Sequence, residues 1–318
     1  MHQLHKTQAR ETMQAATEWL QAMFGSGDVD WKQVLLIGMS PVFLIAFMIE
    51  RRVMANRGER RQFEWRDIIA NLGLGASYQV FELIAHALFT AVAVTWFYEH
   101  RLFDMPINGW TILPIFIAVE FCYYWFHRTS HRVRWFWSAH VVHHSSERMN
   151  FTTAMRQSLL YSITGWWLFF MPLVLLGVPP AVVFFLYAVD LSYQYFVHTE
   201  SVGKLPAWYE YIFDTPSNHR VHHGRNEEYI DKNYGGVLII FDRWFGTYAE
   251  EQAKVDYGIT RQVRSYNVLT LNFHEFIDMW RDVMRPGSLS QRIKHLWAPP
   301  EWTRPETVEI TKDEKVVA

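Results

Sequence analysis

The sequence predicts an all-α integral membrane protein with four to five transmembrane helices and a cytoplasmic helical cap that carries a histidine cluster. Three observations predict it. Long apolar blocks alternate with polar segments, arginine gathers in alternate loops, and histidines crowd the segments that follow the apolar blocks. Half of the 318 residues are hydrophobic and 17% are aromatic, both high for a water-soluble chain. The mean hydropathy of -0.07 averages over these extremes.

Five apolar blocks cover residues 34–49, 68–96, 110–126, 159–178 and 181–197. A spanning helix needs roughly 20 apolar residues. The second and fourth blocks pass easily, and the second is long enough to continue beyond the bilayer. The first is short and contains Pro41, so it spans only with its flanks. Gly177, Val178, Pro179 and Pro180 form a turn signal that makes the last two blocks a helical hairpin. Arg51, Arg52, Arg57, Arg60, Arg61 and Arg66 follow the first block, and Arg128, Arg132, Arg134, Arg148 and Arg156 follow the third. The positive-inside bias puts these segments in the cytoplasm. Five crossings then place the segments after blocks one, three and five on one side. Segments 241–248 and 273–284 read as interfacial, and the residues from Pro305 onward as a frayed tail.

Net charge is -2, which gives no argument for a nucleic-acid partner. The single cysteine, Cys122, excludes a disulfide or a cysteine-based metal site within one chain. The first residues lack the basic-then-apolar order of a signal peptide.

Of the 15 histidines, nine fall in a pattern. His127 and His131 end the third block at spacing i, i+4, on one helix face. His140, His143 and His144 form H-x-x-H-H, and His219, His222 and His223 repeat it. His198 stands alone at the end of the fifth block. Neutral imidazole ligates iron, copper and zinc. One zinc takes about four ligands, so nine suit two metals. A pair of irons would bind and cleave O2 and oxidise an unactivated C–H bond. His2, His5, His100, His274 and His295 read as isolated and solvated. His86, four residues after Glu82, is either half of a polar pair within the membrane or part of a substrate path. Candidate acceptors for the outer ring nitrogens are Glu120, Asp190, Gln194, Glu147, Asn150, Glu200, Asn218 and Asp242. Trp125, Phe126, Tyr195, Phe196 and Trp208 are candidates to line a substrate path.

The three histidine boxes resemble those of the fatty acid hydroxylase and sterol desaturase superfamily. Within it, residues 140–158 (HVVHHSSERMNFTTAMRQS) and 213–248 look like the alkylglycerol monooxygenase branch. The resemblance implies a membrane-embedded hydroxylase domain at 34–251, between a polar or amphipathic segment at 1–33 and a cytoplasmic or peripheral segment at 252–318. It makes the nine histidines the catalytic iron ligands. Two iron ions are implied, with zinc as a possible substitute, together with O2 and an external reductant. The reductant would be tetrahydrobiopterin-like or a separate electron-transfer protein. The implied reaction is hydroxylation of a lipid C–H bond on the cytoplasmic face of a bacterial inner membrane or endoplasmic reticulum. The alternatives are a desaturase on the same centre, a zinc-dependent membrane hydrolase and a metal transporter. Three positions depart from relatives: Val202, where some members carry a further histidine; Arg132, an acidic position in the branch; and Asn218, a histidine there.

Overall fold

The computed structural model describes residues 2–24 and 30–304. Among them the architecture is helical and no β-strand forms. The helices are α1 (His2–Phe24), α2 (Trp31–Asn56), α3 (Trp65–Ala85), α4 (Ala91–Glu99), α5 (Ile112–Arg132), α6 (Arg134–His144), α7 (Tyr161–Thr164), α8 (Met171–Leu175), α9 (Pro180–Val197), α10 (Ala207–Ile212), α11 (Pro216–His222), α12 (Ile240–Phe245), α13 (Val268–Met284) and α14 (Leu289–Trp297).

Among the described residues three helical stretches, fewer than the four to five expected, are long and apolar enough to cross a membrane: Trp31–Asn56, Arg60–Glu99 and Pro180–Val197, with neither the third block nor the fourth among them. The short first block gains its length from both flanks. Asp30 caps α2 by accepting from the Gln33 amide, and the helix runs on through Pro41. The second block stays helical to Glu99 through a π-helical turn, His86–Thr90. From Trp65 that is roughly 50 Å at helical rise, longer than a hydrocarbon core of about 30 Å. The outer faces carry Ile37, Leu44, Ile45, Met48, Val80, Leu83, Leu88 and Val92, all exposed. A contiguous apolar surface of this kind suits lipid contact.

The fourth block departs from the expected single helix. It divides into α7, a 3₁₀ turn at Trp166–Phe170, and α8. Gly165 causes the break with φ +93°, a left-handed conformation open to glycine at little cost. The segment still connects the two ends of the bundle. Tyr161 contacts a histidine, while the Leu175 carbonyl accepts from the Leu102 amide beyond α4. Trp166, Phe170, Met171, Leu173 and Val174 are buried. Protein therefore covers this irregular backbone, the condition under which a membrane tolerates one.

α9 is the central helix, packed on α2 and α5. α5 packs on α6, and α6 in turn on α13 and α14. The ends of α2, α5 and α9 and the start of α3 gather on one side. Glu50 bonds Thr199, Arg57 reaches the Ser201 carbonyl, and Asp67 bonds Ser146. This matches the shared side expected for the segments after blocks one, three and five. Two arginines counted for that side are not solvated. Arg156 is wholly buried, and Arg134 is buried against Glu275 and Asp282. The tail from Pro305 onward and the side chains of His2 and His5 lie outside the described residues.

Candidate metal centre

The helix ends bring all nine histidines together, every one buried. They form two adjacent sets. His127, His131, His140, His144 and His222 make one, and His143, His198, His219 and His223 the other; within each set the candidate ligand atoms lie within 4.8 Å of one another. The two H-x-x-H-H boxes are split between the sets. Successive residues on a helix point about 100° apart, so His143 and His144 face different sets, as do His222 and His223. The sets touch where the rings of His144 and His223 stack at 4.4 Å.

The outer ring nitrogens fix the tautomers. The Nδ1 atoms of His127, His198 and His222 lie 2.8, 2.6 and 3.0 Å from the carbonyl oxygens of Tyr234, Gln194 and Lys232. His143 Nδ1 is 3.3 Å from the Arg156 carbonyl. A carbonyl only accepts, so each of these Nδ1 atoms carries its proton and leaves Nε2 bare. His219 Nδ1 faces the Asp214 carboxylate at 3.0 Å. His140 Nδ1 meets the Tyr161 hydroxyl at 2.6 Å.

The Nε2 atoms then point at each other. His198 stands 2.9 Å from His219 and 3.1 Å from His143. His144 stands 3.0 Å from His140 and 3.1 Å from His222. Between His198 and His143, whose Nδ1 atoms both face carbonyls, the neutral tautomers place no proton, and the lone pairs repel. His131 Nε2 is buried without a partner among the described residues. A cation in each set removes the conflict, so the donors fit two metals.

Burial also keeps these rings neutral. His222 is pushed down to about 4 from an ordinary 6.5, and His140, His143, His144, His219 and His223 move the same way. Burial is the main cause in each case; neighbouring imidazoles add to it around the other five. Asp214 is pushed up, mainly by burial and then by Asp242. The unfolded chain takes up protons near pH 6.5, whereas His222 in the folded chain does so only near 4 and the other five rings only well below 6.5. Stability of the metal-free protein is therefore full above 6.5 and is lost as pH falls toward 4. Melting temperatures of chelated protein should drop steadily over that window; a flat profile contradicts neutral buried rings.

Outer residues hold these acceptors in place. Asp242 accepts from the Tyr234 and Gly235 amides at 2.8 and 2.7 Å, fixing the carbonyl that receives His127. Glu120 accepts from the Val237 and Leu238 amides. Gly236 lies between them, and a Cβ there would come within 2.1 Å of Asp190 Oδ1. Asp190 accepts from Gln194, whose carbonyl receives His198. Asn218 bonds the Glu210 and Phe213 carbonyls, and Asn150 caps a 3₁₀ turn. Glu200 accepts from the Tyr257 hydroxyl. None of these candidate side chains bonds a histidine ring, and Glu147 contributes only its carbonyl, to Arg148. The sequence reading missed Asp214 and Tyr161, which do bond rings. Asp214 carried a local signal, an acid five residues before His219.

Two cavities approach the sets. One, of about 610 Å³, is lined by Phe43, Phe126, Tyr161, Trp166, Tyr195 and the rings of His140, His143 and His198, among others. Phe126 and Tyr195 were expected to line a path. Trp125, Phe196 and Trp208 do not line this cavity; Trp125 packs on Phe245, and Trp208 is exposed. The second, of about 550 Å³, reaches His131, His144 and His222 through Arg132, Trp137, Arg225 and His274.

Three further expectations change. His274 lines the second cavity, with Nε2 buried and unpartnered among the described residues. His295 is buried between Arg134 and Arg304. Glu82 pairs with Lys32 rather than with His86, which is exposed and faces Thr90. Val202 lends only its carbonyl, to Arg220.

Comparison with known proteins gives a consistent result. Residues 112–247 match the family model for fatty acid hydroxylase. The chain is 42% identical over 205 residues to the human alkylglycerol monooxygenase, covering 64% of this chain and 45% of that protein. It is 36% identical over 266 residues to the Danio rerio alkylglycerol monooxygenase, covering 83% and 59%. It is 31% identical over 160 residues to the ornithine lipid hydroxylase OlsE of Rhizobium tropici, covering 50% and 48%. The chain thus spans about half the length of the curated relatives it matches. No solved structure matches it.

Proposed function

Residues 112–247 form a fatty acid hydroxylase domain, and on that premise we propose that the chain is a multi-pass membrane monooxygenase that hydroxylates a C–H bond of a lipid. The observation that carries this is the meeting of nine buried histidines in two sets beside an apolar cavity. The five- and four-histidine sets would each hold one iron, on the cytoplasmic face of the membrane. When bound, the irons supply the activation of O2 and the oxidation of the C–H bond.

The chain's own residues do the rest. Tyr234, Gln194, Lys232, Arg156 and Asp214 hold the imidazoles in the ligating tautomer. Tyr161 steers His140 from the cavity side. The cavity walls exclude water and hold an alkyl chain against His140, His143 and His198. One oxygen atom of O2 enters the product and the other leaves as water, which consumes two electrons and two protons. The second cavity gives an external reductant a separate route to His131, His144 and His222. Trp137 lies 5.3 Å from His131 there, beside Arg132 and His274. The identity to alkylglycerol monooxygenases favours an ether lipid as substrate, and the resemblance of residues 140–158 and 213–248 to that branch implies a tetrahydrobiopterin-like reductant.

Lipid mass spectrometry of cells with and without the gene tests the reading. Hydroxylation adds one oxygen to a lipid; attack at an ether carbon releases an aldehyde. Loss of two hydrogens reassigns the protein as a desaturase. Stoichiometric zinc with O2-independent activity overturns the oxygenase altogether.

A further inference from the structure

The apolar cavity beside the histidines ends on charge. On α2 its lining runs from Lys32 to Phe43, and along α9 from Tyr187 to His198. Each stretch covers about 16 Å at helical rise. Phe43 stacks on Tyr195 at 4.2 Å, which marks the histidine end. At the other end Lys32 pairs with Glu82, and both are buried. Lys32 Nζ also lies 4.9 Å from the Trp166 ring centre and 5.7 Å from that of Tyr187. Gln33 donates to Gln79 beside them at 3.1 Å. Between these ends the wall is largely apolar, with Leu36, Leu72, Ala76 and Leu191. Exposed Ile37 and Leu72 mark a side opening between α2 and α3, midway along.

We infer that the Lys32–Glu82 pair is the stop against which the tail of the bound lipid chain ends, so that it selects chain length. The inference rests on the lipid-hydroxylase reading. Each methylene buried in the apolar stretch strengthens binding about fourfold. The methylene that meets the pair must separate buried opposite charges and strip Lys32 from its aromatic rings, which costs more than it returns. The substrate is then a lipid with one saturated chain held tail-first, its polar end at the histidines.

The test uses full-length, iron-loaded protein in phosphatidylcholine vesicles and saturated 1-O-alkylglycerols of graded length. The variant is Lys32→Met with Glu82→Met. Removing one partner would strand a buried charge, whereas replacing both with apolar residues preserves folding. Retention of each lipid by immobilised protein is measured beside turnover, so the stop is tested whether or not the lipid is oxidised. For the native chain, retention and kcat/KM should rise with length and then fall sharply. In the double variant the optimum should move at least two carbons longer, with the longest lipid gaining about tenfold. An unchanged optimum in a folded double variant, or an equal loss at every length, overturns the stop. Native protein that retains lipids by length but oxidises none counts against the hydroxylase reading and not the stop.

Discussion

Replacing His219 with alanine should abolish turnover and lower bound iron from about two atoms per chain to about one. His219 belongs to the four-histidine set, with Nε2 2.9 Å from His198 and 3.1 Å from His223. Its loss leaves three donors there and leaves the five-histidine set intact. Groups that act as a unit lose nearly all activity together, so the rate should fall by at least about a thousandfold. Asp214→Asn should have a milder effect. The amide can still accept from His219 Nδ1 but no longer offers a charge, and loss of such a partner costs about 10- to 100-fold in metal affinity or activity. Metal analysis and turnover of the two variants separate the roles. Full iron and full activity in His219→Ala would sink the two-set centre.

Asp67→Ala should destabilise the protein by about 3–5 kcal/mol, the cost of stranding a buried charge. Arg156 is wholly buried, and Asp67 is its ionic partner at 3.2 Å. The remaining Arg156 bonds, to Asn71, Ser145 and the Val142 carbonyl, reach neutral groups. Asp67 also accepts from Ser146 at 2.9 Å, beside the second histidine box. The Arg156 carbonyl receives His143, so the damage reaches the four-histidine set. Thermal denaturation in detergent should show a large fall in melting temperature together with reduced iron. A loss below about 1 kcal/mol, the range of exposed pairs, would contradict the burial of this pair.

Much of this was legible in the sequence because its signals are local. Spacing i, i+4 puts His127 and His131 on one face whatever surrounds the helix. The apolar runs of α2, α3 and α9 announce themselves by composition alone. The fourth block misled because an apolar run tells length and not continuity. Gly165 decided its path, and neighbouring helices cover the break. His274 and His295 read as solvated because nothing near them in the chain reveals that α13 and α14 pack on α6.

The sequence by itself determined which nine histidines gather, and that they lie at and after the ends of apolar blocks. Residue type and helical period are properties of a few consecutive positions. Only the tertiary structure decided that the nine divide into five and four, with adjacent histidines of one box facing different sets. It alone supplied the acceptors that fix the tautomers: Tyr234 lies 107 residues from His127, and Arg156 13 residues from His143. It also placed Lys32 against Glu82, 50 residues away, at the far end of the apolar cavity. Such pairs form only when distant helices pack, and a buried charge settles where the folded chain can meet it with its opposite.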